Sequence, residues 1–354
     1  MAGIAHIVES FAYGTACSVV QLSRLLGPCH QSTIFYGVRQ GTDVVLQSLP
    51  DGVELCPLPG QGATRHATNL KFLRSRLRNF DIVHGHSSYG GMYAKLLGPS
   101  LGSSVLYSPR GYAFLRQDLS RTSRILIRQM ERITARRCVT VGCGPYEHQL
   151  ATEIGGATLQ INNGYEIHEP IPVGQLTNQI LGVGRICKQK GFDIFVDVAR
   201  QLPECQFLWV GDVQPGDRSD LHDLPDNLKI ETYMPHQDLL DVLRSCRCVF
   251  LPSRWEGLSR FLVESVCFSK AIITSQFPAN KDCLRPNINE PGYANGFACT
   301  DQNEYVAAIR RLATDDSLLE QMQLASYHHA QQQFNILRIR DQWKTLYQQN
   351  AMAR

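Results

Sequence analysis

The chain has 354 residues, 43% of them hydrophobic and 19% charged, with a net charge of +3. That length exceeds one ordinary domain and suits two, each large enough for its own core. So slight a basic excess, without aromatic residues interleaved among the charges, argues against a nucleic-acid partner, and no apolar run approaches the roughly 20 residues that span a bilayer.

In chain order, 3–8 reads as a strand, 15–26 as a helix and 33–37 as a second strand. Further strand-like runs at 80–84, 104–107 and 138–141 alternate with helical patterns, as in a parallel sheet with helices on both faces. Residues 163–172 (NGYEIHEPIP) lack periodicity and are rich in turn residues, so the linker is placed there. The alternation then restarts: strand 179–183, helix 190–202, strands 205–210 and 228–231, helix 236–245, strand 247–251, helix 258–268, strand 271–274. Two doubly wound α/β domains follow, 1–170 and 171–330, with ligands expected at the carboxyl ends of the strands. A last helical stretch, 315–349, carries Trp343, Leu346 and Tyr347.

Charge is unevenly shared. Residues 1–172 hold 16 Lys/Arg against 11 Asp/Glu (+5), and the remainder 19 against 21 (−2). Within the basic part, Arg121, Arg124, Arg128 and Arg132 recur at helical spacing beside Ile125, Ile127 and Ile133. Such a stripe suits an anionic membrane surface and equally a solvated helix face. The opening MAGIAHIVESF has neither a basic nor an apolar signal region, so a secretory signal is not expected. Most of the 12 cysteines, Cys17, Cys138, Cys205, Cys246, Cys248 and Cys267 among them, sit in apolar runs as reduced thiols would, and no pair has zinc-knuckle spacing. A cytoplasmic location follows.

Chemistry concentrates in 255–274, WEGLSRFLVESVCFSKAIIT. A strand feeds a helix through the Glu256-Gly257 turn, which leaves N–H groups and a positive dipole end for a diphosphate. Glu256 precedes this helix and Glu264 lies about two turns along it; carboxylates accept several hydrogen bonds from sugar hydroxyls. Arg185 and Lys190 follow the strand in 181–192, LGVGRICKQKGF. Cations at a helix start oppose the dipole, so their presence favours an anionic ligand such as a diphosphate. In 80–88, FDIVHGHSS, a strand ends in two histidines. A neutral imidazole there can hydrogen-bond a hydroxyl or a phosphate oxygen. Tyr13 and Arg110-Gly111 follow strands of the first domain and, from position alone, are further candidates to line a ligand site. Neither a GxGxxG fingerprint, a P-loop nor an Asp-x-Asp metal motif is present.

The ordered set of Asn163-Gly164, the 181–192 block, 208–212 (LWVGD) and the Glu-x7-Glu of Glu256 and Glu264 resembles retaining glycosyltransferases of the GT-B fold, family 4. The likeness covers most of 140–300. It implies two Rossmann-like domains facing a central cleft and a C-terminal helix, 331–354, crossing back to the first. It implies that Arg185 and Lys190 bind the leaving diphosphate, with backbone N–H groups of Leu258, Ser259 and Arg260. Glu256 would face the donor sugar, Glu264 the ribose, His86 the sugar from the first domain, and Gly14 and Thr15 the donor phosphates. Catalytic roles fall on His86 and Glu256, with no metal and no cofactor. The implied reaction moves a hexose or amino sugar from a nucleotide-sugar donor, preferably a UDP-sugar, to a glycan or lipid-linked glycan acceptor in surface polysaccharide (O-antigen, capsule or lipopolysaccharide) synthesis. The Arg stripe would then meet the inner face of the cytoplasmic membrane. Two alternatives stay open: a nucleotide-sugar 2-epimerase of the same architecture and a non-catalytic nucleotide-sugar-binding subunit. Arg260 and Ser269-Lys270 depart from the family pattern.

Overall fold

The computed structural model describes residues 2–352 apart from 28–29, 40, 214–220, 222 and 288–290. The chain divides into two compact units, Met1–Asn163 with Leu337–Arg354, and Gly164–Ile336. The change of unit thus falls at Asn163-Gly164, at the front of the turn-rich segment.

The first unit begins with β1 (Gly3–Val8), α1 (Tyr13–Leu26), β2 (Gln31–Tyr36), α2 (Thr42–Leu46) and β3 (Glu54–Pro57). Next come α3 (Arg65–Arg76), β4 (Ile82–His86), α4 (Ser87–Leu97), β5 (Ser104–Ser108) and α5 (Arg121–Thr134). Then β6 (Val139–Gly142), α6 (Pro145–Ile154) and β7 (Ala157–Gln160) complete a seven-stranded sheet in the order β3-β2-β1-β4-β5-β6-β7. The second unit has β8 (Gln179–Val183), α7 (Phe192–Gln201), β9 (Gln206–Val210), β10 (Leu228–Glu231), α8 (His236–Ser245) and β11 (Cys248–Leu251). It continues through α9 (Arg260–Cys267), β12 (Ile272–Ser275), α10 (Pro278–Lys281), β13 (Gly296–Cys299), α11 (Gln302–Thr314) and α12 (Asp316–Gln333). Its six strands run β10-β9-β8-β11-β12-β13. Strand pairs in both sheets are parallel.

Helices cover both faces of the central strands, so the usual inside-outside alternation of burial disappears. β1, β4 and β11 are buried over nearly their whole length. The edge strands β3 and β7 are largely exposed and carry few apolar residues, and neither stands out in the sequence. The helical stretch after 315 is two helices, with Phe334 and Asn335 between α12 and α13 (Ile336–Met352). From Leu337 onward the chain belongs to the first unit. There Ile339, Trp343, Leu346 and Tyr347 of α13 pack with Ile4, Ile82, Leu106 and Val141 of four neighbouring strands. Among the described residues no helix is long and apolar enough to cross a membrane.

Both sheets reverse their strand order between the first and fourth strand of the unit, at β1/β4 and at β8/β11. Loops leaving adjacent strands in opposite directions open a crevice at such a point, where α/β sheets bind ligands.

Candidate active site

In the second unit the loops after β8 and β11 meet at the switch point. Gly191 is the hinge of this contact: its φ is +73°, and a Cβ would stand 2.3 Å from the carbonyl oxygen of Pro252. A side chain at 191 would therefore force the two loops apart. The close approach brings Lys190 Nζ onto Glu256 Oε1 in an ion pair. Arg185 Nη2 donates to Gln189 Oε1 (3.2 Å), and Gln189 Nε2 donates to the carbonyl of Trp255 (3.0 Å). Arg254 adds a third tie, donating to both oxygens of Asp193 at 2.7 and 2.6 Å. Gln189, Asp193 and Arg254 escape sequence reasoning; the one signal was their adjacency to Lys190 and Trp255-Glu256.

Glu256 lies just ahead of α9, whose first turn contains no carboxylate. Ser259 caps that helix through its Oγ, which accepts from Leu262 N, and Leu258 and Ser259 are both buried. The helix therefore starts at Arg260 rather than at 258. Arg260 does not point to solvent: its Nη2 lies 3.1 Å from Glu264 Oε1, with side chains only 17% and 12% exposed. An arginine in the first turn opposes the helix dipole, and an arginine placed N-terminal to its carboxylate is the weaker order of an i,i+4 pair. Tyr165 faces this pair, and burial together with the Glu264 charge pushes its phenol up to about 12. Ser269 keeps a glycine-like backbone (φ 57°) where the family pattern has a turn, and its Oγ donates to the carbonyl of His168 (2.6 Å). Lys270 is buried and donates to the carbonyls of Arg244 (2.6 Å) and Cys246 (2.9 Å), which close the end of α8. The departures at 269–270 thus stabilise the turn.

In the first unit, Gly14 is exposed and Thr15 half-buried in the first turn of α1, which has neither a side-chain cap nor an acidic residue. His86 ends β4 but has no exposed surface, so in this conformation it cannot touch a sugar as the sequence reading expects. Period-two alternation puts His84 and His86 on one face, and their register partners His6 and Val8 on β1 bring a third imidazole there. His6 Nδ1 is 3.1 Å from His86 Nε2, while His84 joins Tyr347 Oη (2.6 Å) and Ser108 Oγ (2.9 Å). Burial above all, then the other imidazoles and Arg110, hold all three histidines far below their ordinary value, His6 at about 3. They are neutral at physiological pH. Their ligand nitrogens lie within 4.8 Å of one another. The set nevertheless suits a cation poorly, because both nitrogens of His84 are engaged and the charge of Arg110 repels from nearby.

The Arg stripe lies on α5. Arg124 donates to the carbonyl of Phe114 (2.9 Å), Arg128 pairs with Glu153 (3.0 Å) and Arg132 reaches the carbonyl of Glu153 (3.4 Å), while Arg121 is exposed at the helix start. The apolar face differs from the one read in the sequence. Ile127 packs on the core, whereas Ile125, Leu126, Met130 and Ile133 are 52%, 60%, 57% and 77% exposed. These four occupy one side of the helix, flanked by the arginines. Of the described cysteines, Cys17 is exposed despite its apolar surroundings, while Cys138, Cys205, Cys246, Cys248 and Cys267 are buried free thiols.

Residues 166–329 match the family described as glycosyl transferases group 1. An Escherichia coli UDP-Gal:α-D-GlcNAc-diphosphoundecaprenol α-1,3-galactosyltransferase is 27% identical over 304 residues, 76% of this chain and 75% of that one. Sucrose-phosphate synthase from Thermosynechococcus elongatus superposes with a TM-score of 0.84 at 17% identity, over 100% of both chains. Anabaena HepE, solved with UDP and glucose, superposes at 0.82 and 16% identity, over 99% of this chain and 100% of its own.

Proposed function

We propose that the chain, which has the GT-B fold and matches the glycosyl transferases group 1 over residues 166–329, is a glycosyltransferase that moves a hexose or amino sugar from a UDP-sugar to a hydroxyl of a lipid-linked glycan, with retention of configuration, in the assembly of a surface polysaccharide. The main support is the meeting of Arg185, Lys190 and Glu256 at the β8/β11 switch point, beside the start of α9. UDP and a lipid-linked acceptor are the ligands named for HepE and for the E. coli relative.

In this reading Arg185 and Lys190 hold the diphosphate with the backbone N–H groups at Leu258, Ser259 and Arg260. As the bond from C1 to the phosphate oxygen breaks, negative charge grows on that oxygen. Fixed cations beside it favour the transition state over the bound donor. Glu256 accepts from the donor sugar's hydroxyls while keeping Lys190 in place, and Glu264 accepts from the ribose. The acceptor oxygen bonds to C1 on the face that the diphosphate leaves, and its proton passes to the departing phosphate oxygen. No side-chain nucleophile is required, and the cations with the helix start take the role a metal would have. Gly14 and Thr15 are assigned to the donor phosphates by family likeness alone. His86 positions the β4–α4 turn. The exposed apolar side of α5, with its flanking arginines, rests on an anionic membrane surface at the inner face of the cytoplasmic membrane.

A thermal-shift screen against UDP, GDP, ADP and their sugars tests the donor; a ligand at about 100 times its Kd adds about 2.7 kcal/mol. Transfer onto a GlcNAc-diphosphate lipid, followed by mass spectrometry and anomeric NMR, tests the reaction. Absence of stabilisation by every nucleotide, or an epimerised donor formed without acceptor, refutes it.

A further inference from the structure

At the carboxyl edge of the first sheet, beside the β1/β4 switch point, lies a second polar assembly outside the donor residues. Glu9, one residue past β1, is 7% exposed. Its two oxygens are divided between Arg39, after β2, and Arg65, at the start of α3: Oε2 lies 2.9 Å from Arg39 Nη2 and Oε1 lies 3.5 Å from Arg65 Nη1. The arginine side chains remain 43% and 35% exposed. One buried carboxylate thus steers two partly exposed guanidinium groups, with one positive charge in excess, and Arg65 Nε donates to His66 Nε2 (3.2 Å).

Both arginines are held in place. A Cβ on Gly37 would stand 2.0 Å from the carbonyl oxygen of Glu9, so the segment carrying Arg39 is pressed against β1. Arg39 N donates to Thr42 Oγ1 (2.9 Å), and Thr42 Oγ1 donates to the carbonyl of Phe11 (2.8 Å). Arg65 opens α3, and Asn69, one turn on, binds Gly60 N (2.8 Å). Beside them stands Tyr89, 42% exposed, with the Arg65 guanidinium 5.4 Å from its ring centre and the His66 ring at 4.5 Å. His66 is in turn fixed by the buried Tyr93 hydroxyl at 2.6 Å. The same edge holds three non-glycine residues in left-handed conformations, Tyr13 (φ 52°), Ser87 (φ 60°) and Arg110 (φ 57°), following β1, β4 and β5. Strain of this kind gathers at ligand sites.

Resting on the glycosyltransferase reading, we propose that this assembly is the acceptor subsite, and that it takes a saccharide joined to a diphosphate. Arg39 and Arg65, set on one carboxylate, span a group the size of a diphosphate and bind its oxygens through planar, charge-assisted hydrogen bonds. Tyr89, still 42% exposed beside Arg65 and His66, offers its remaining surface to the apolar C–H side of the attached sugar.

The test is equilibrium binding, by calorimetry, of a short-alkyl GlcNAc-diphosphate and of the matching alkyl GlcNAc without phosphate, in the presence of saturating UDP so that the donor site is filled. The wild type binds the diphosphate compound at least tenfold more tightly. Arg39→Gln and Arg65→Gln each lower that affinity at least tenfold without altering the weak binding of the alkyl sugar, and Tyr89→Ala weakens both while Tyr89→Phe does not. Each single arginine variant leaves Glu9 one partner, and an unchanged Tm verifies the fold. Equal binding of the two compounds by the wild type, or arginine variants that bind the diphosphate compound normally, overturns the subsite. Failure of the transferase reading has a different signature, binding as described with no sugar transferred from any UDP-sugar.

Discussion

Replacing Lys190 by Met removes a cation while nearly keeping its volume, and the structure separates two consequences. The Lys190 and Glu256 side chains are 16% and 10% exposed, so the carboxylate left behind is largely screened from water. Orphaning a charged hydrogen-bond partner costs about 1.5–3 kcal/mol, roughly 3–12 °C in Tm for a domain of this size. Loss of a fixed charge opposite the leaving oxygen costs about 2.7–4 kcal/mol, about 10²–10³ in kcat. Adding Glu256→Gln removes the stranded charge but not the catalytic loss. The double variant therefore recovers most of its Tm and stays inactive, a coupling that only a cycle of single and double variants reveals. Melting without ligand and steady-state release of UDP in the presence of acceptor measure the two parts. A Lys190→Met enzyme with kcat within about threefold of wild type, or a double variant that regains activity along with Tm, refutes the assignment of Lys190 to the leaving group.

Glu264→Gln weakens UDP binding about tenfold, or about 1.4 kcal/mol, read by calorimetry; unchanged affinity removes Glu264 from the ribose. Leu126→Asp with Ile133→Asp abolishes co-flotation with phosphatidylglycerol vesicles, and full retention discards the α5 membrane contact. Trp343→Ala destabilises the protein by about 3–5 kcal/mol in urea unfolding, because a 5% exposed ring in the core is lost. His6 is held at about 3 against the ordinary 6.5, and His84 and His86 are held well below that ordinary value too. Below 6.5 the unfolded chain takes up protons that these folded histidines refuse. Their contribution is therefore complete above 6.5 and falls with pH through the window down to about 3, at up to about 1.4 kcal/mol per pH unit for each histidine. Urea midpoints at pH 7 and pH 5 measure it ahead of most carboxylate titration, and equal midpoints contradict it.

The parts of the fold that sequence reveals are those whose burial is one-dimensional. Cys248–Leu251 is buried throughout and apolar throughout, so its strand and the helix beyond it are visible as text. Glu256 and Glu264 share that visibility because their spacing is local. β3, β7 and β13 are four-residue edge strands, too short for a pattern to declare itself, and pairing to a neighbour rather than composition makes them strands. The ties Gln189 to Trp255 and Arg254 to Asp193 join residues more than 60 positions apart through common polar types, which no spacing announces. His86 was legible only in part. Its place at a strand end was legible, but its covering depends on His6, on the next strand, and on Tyr347, which meets the neighbouring His84 across 263 positions.

The first unit closes only with α13, since Trp343, Leu346 and Tyr347 complete a core that includes Ile4. During translation, therefore, residues 1–163 must wait for the segment after 336, while Gly164–Ile336 lies wholly between them. A nascent chain halted before 337 would carry one finished body and one with an uncovered sheet, and the latter is where holding chaperones would bind.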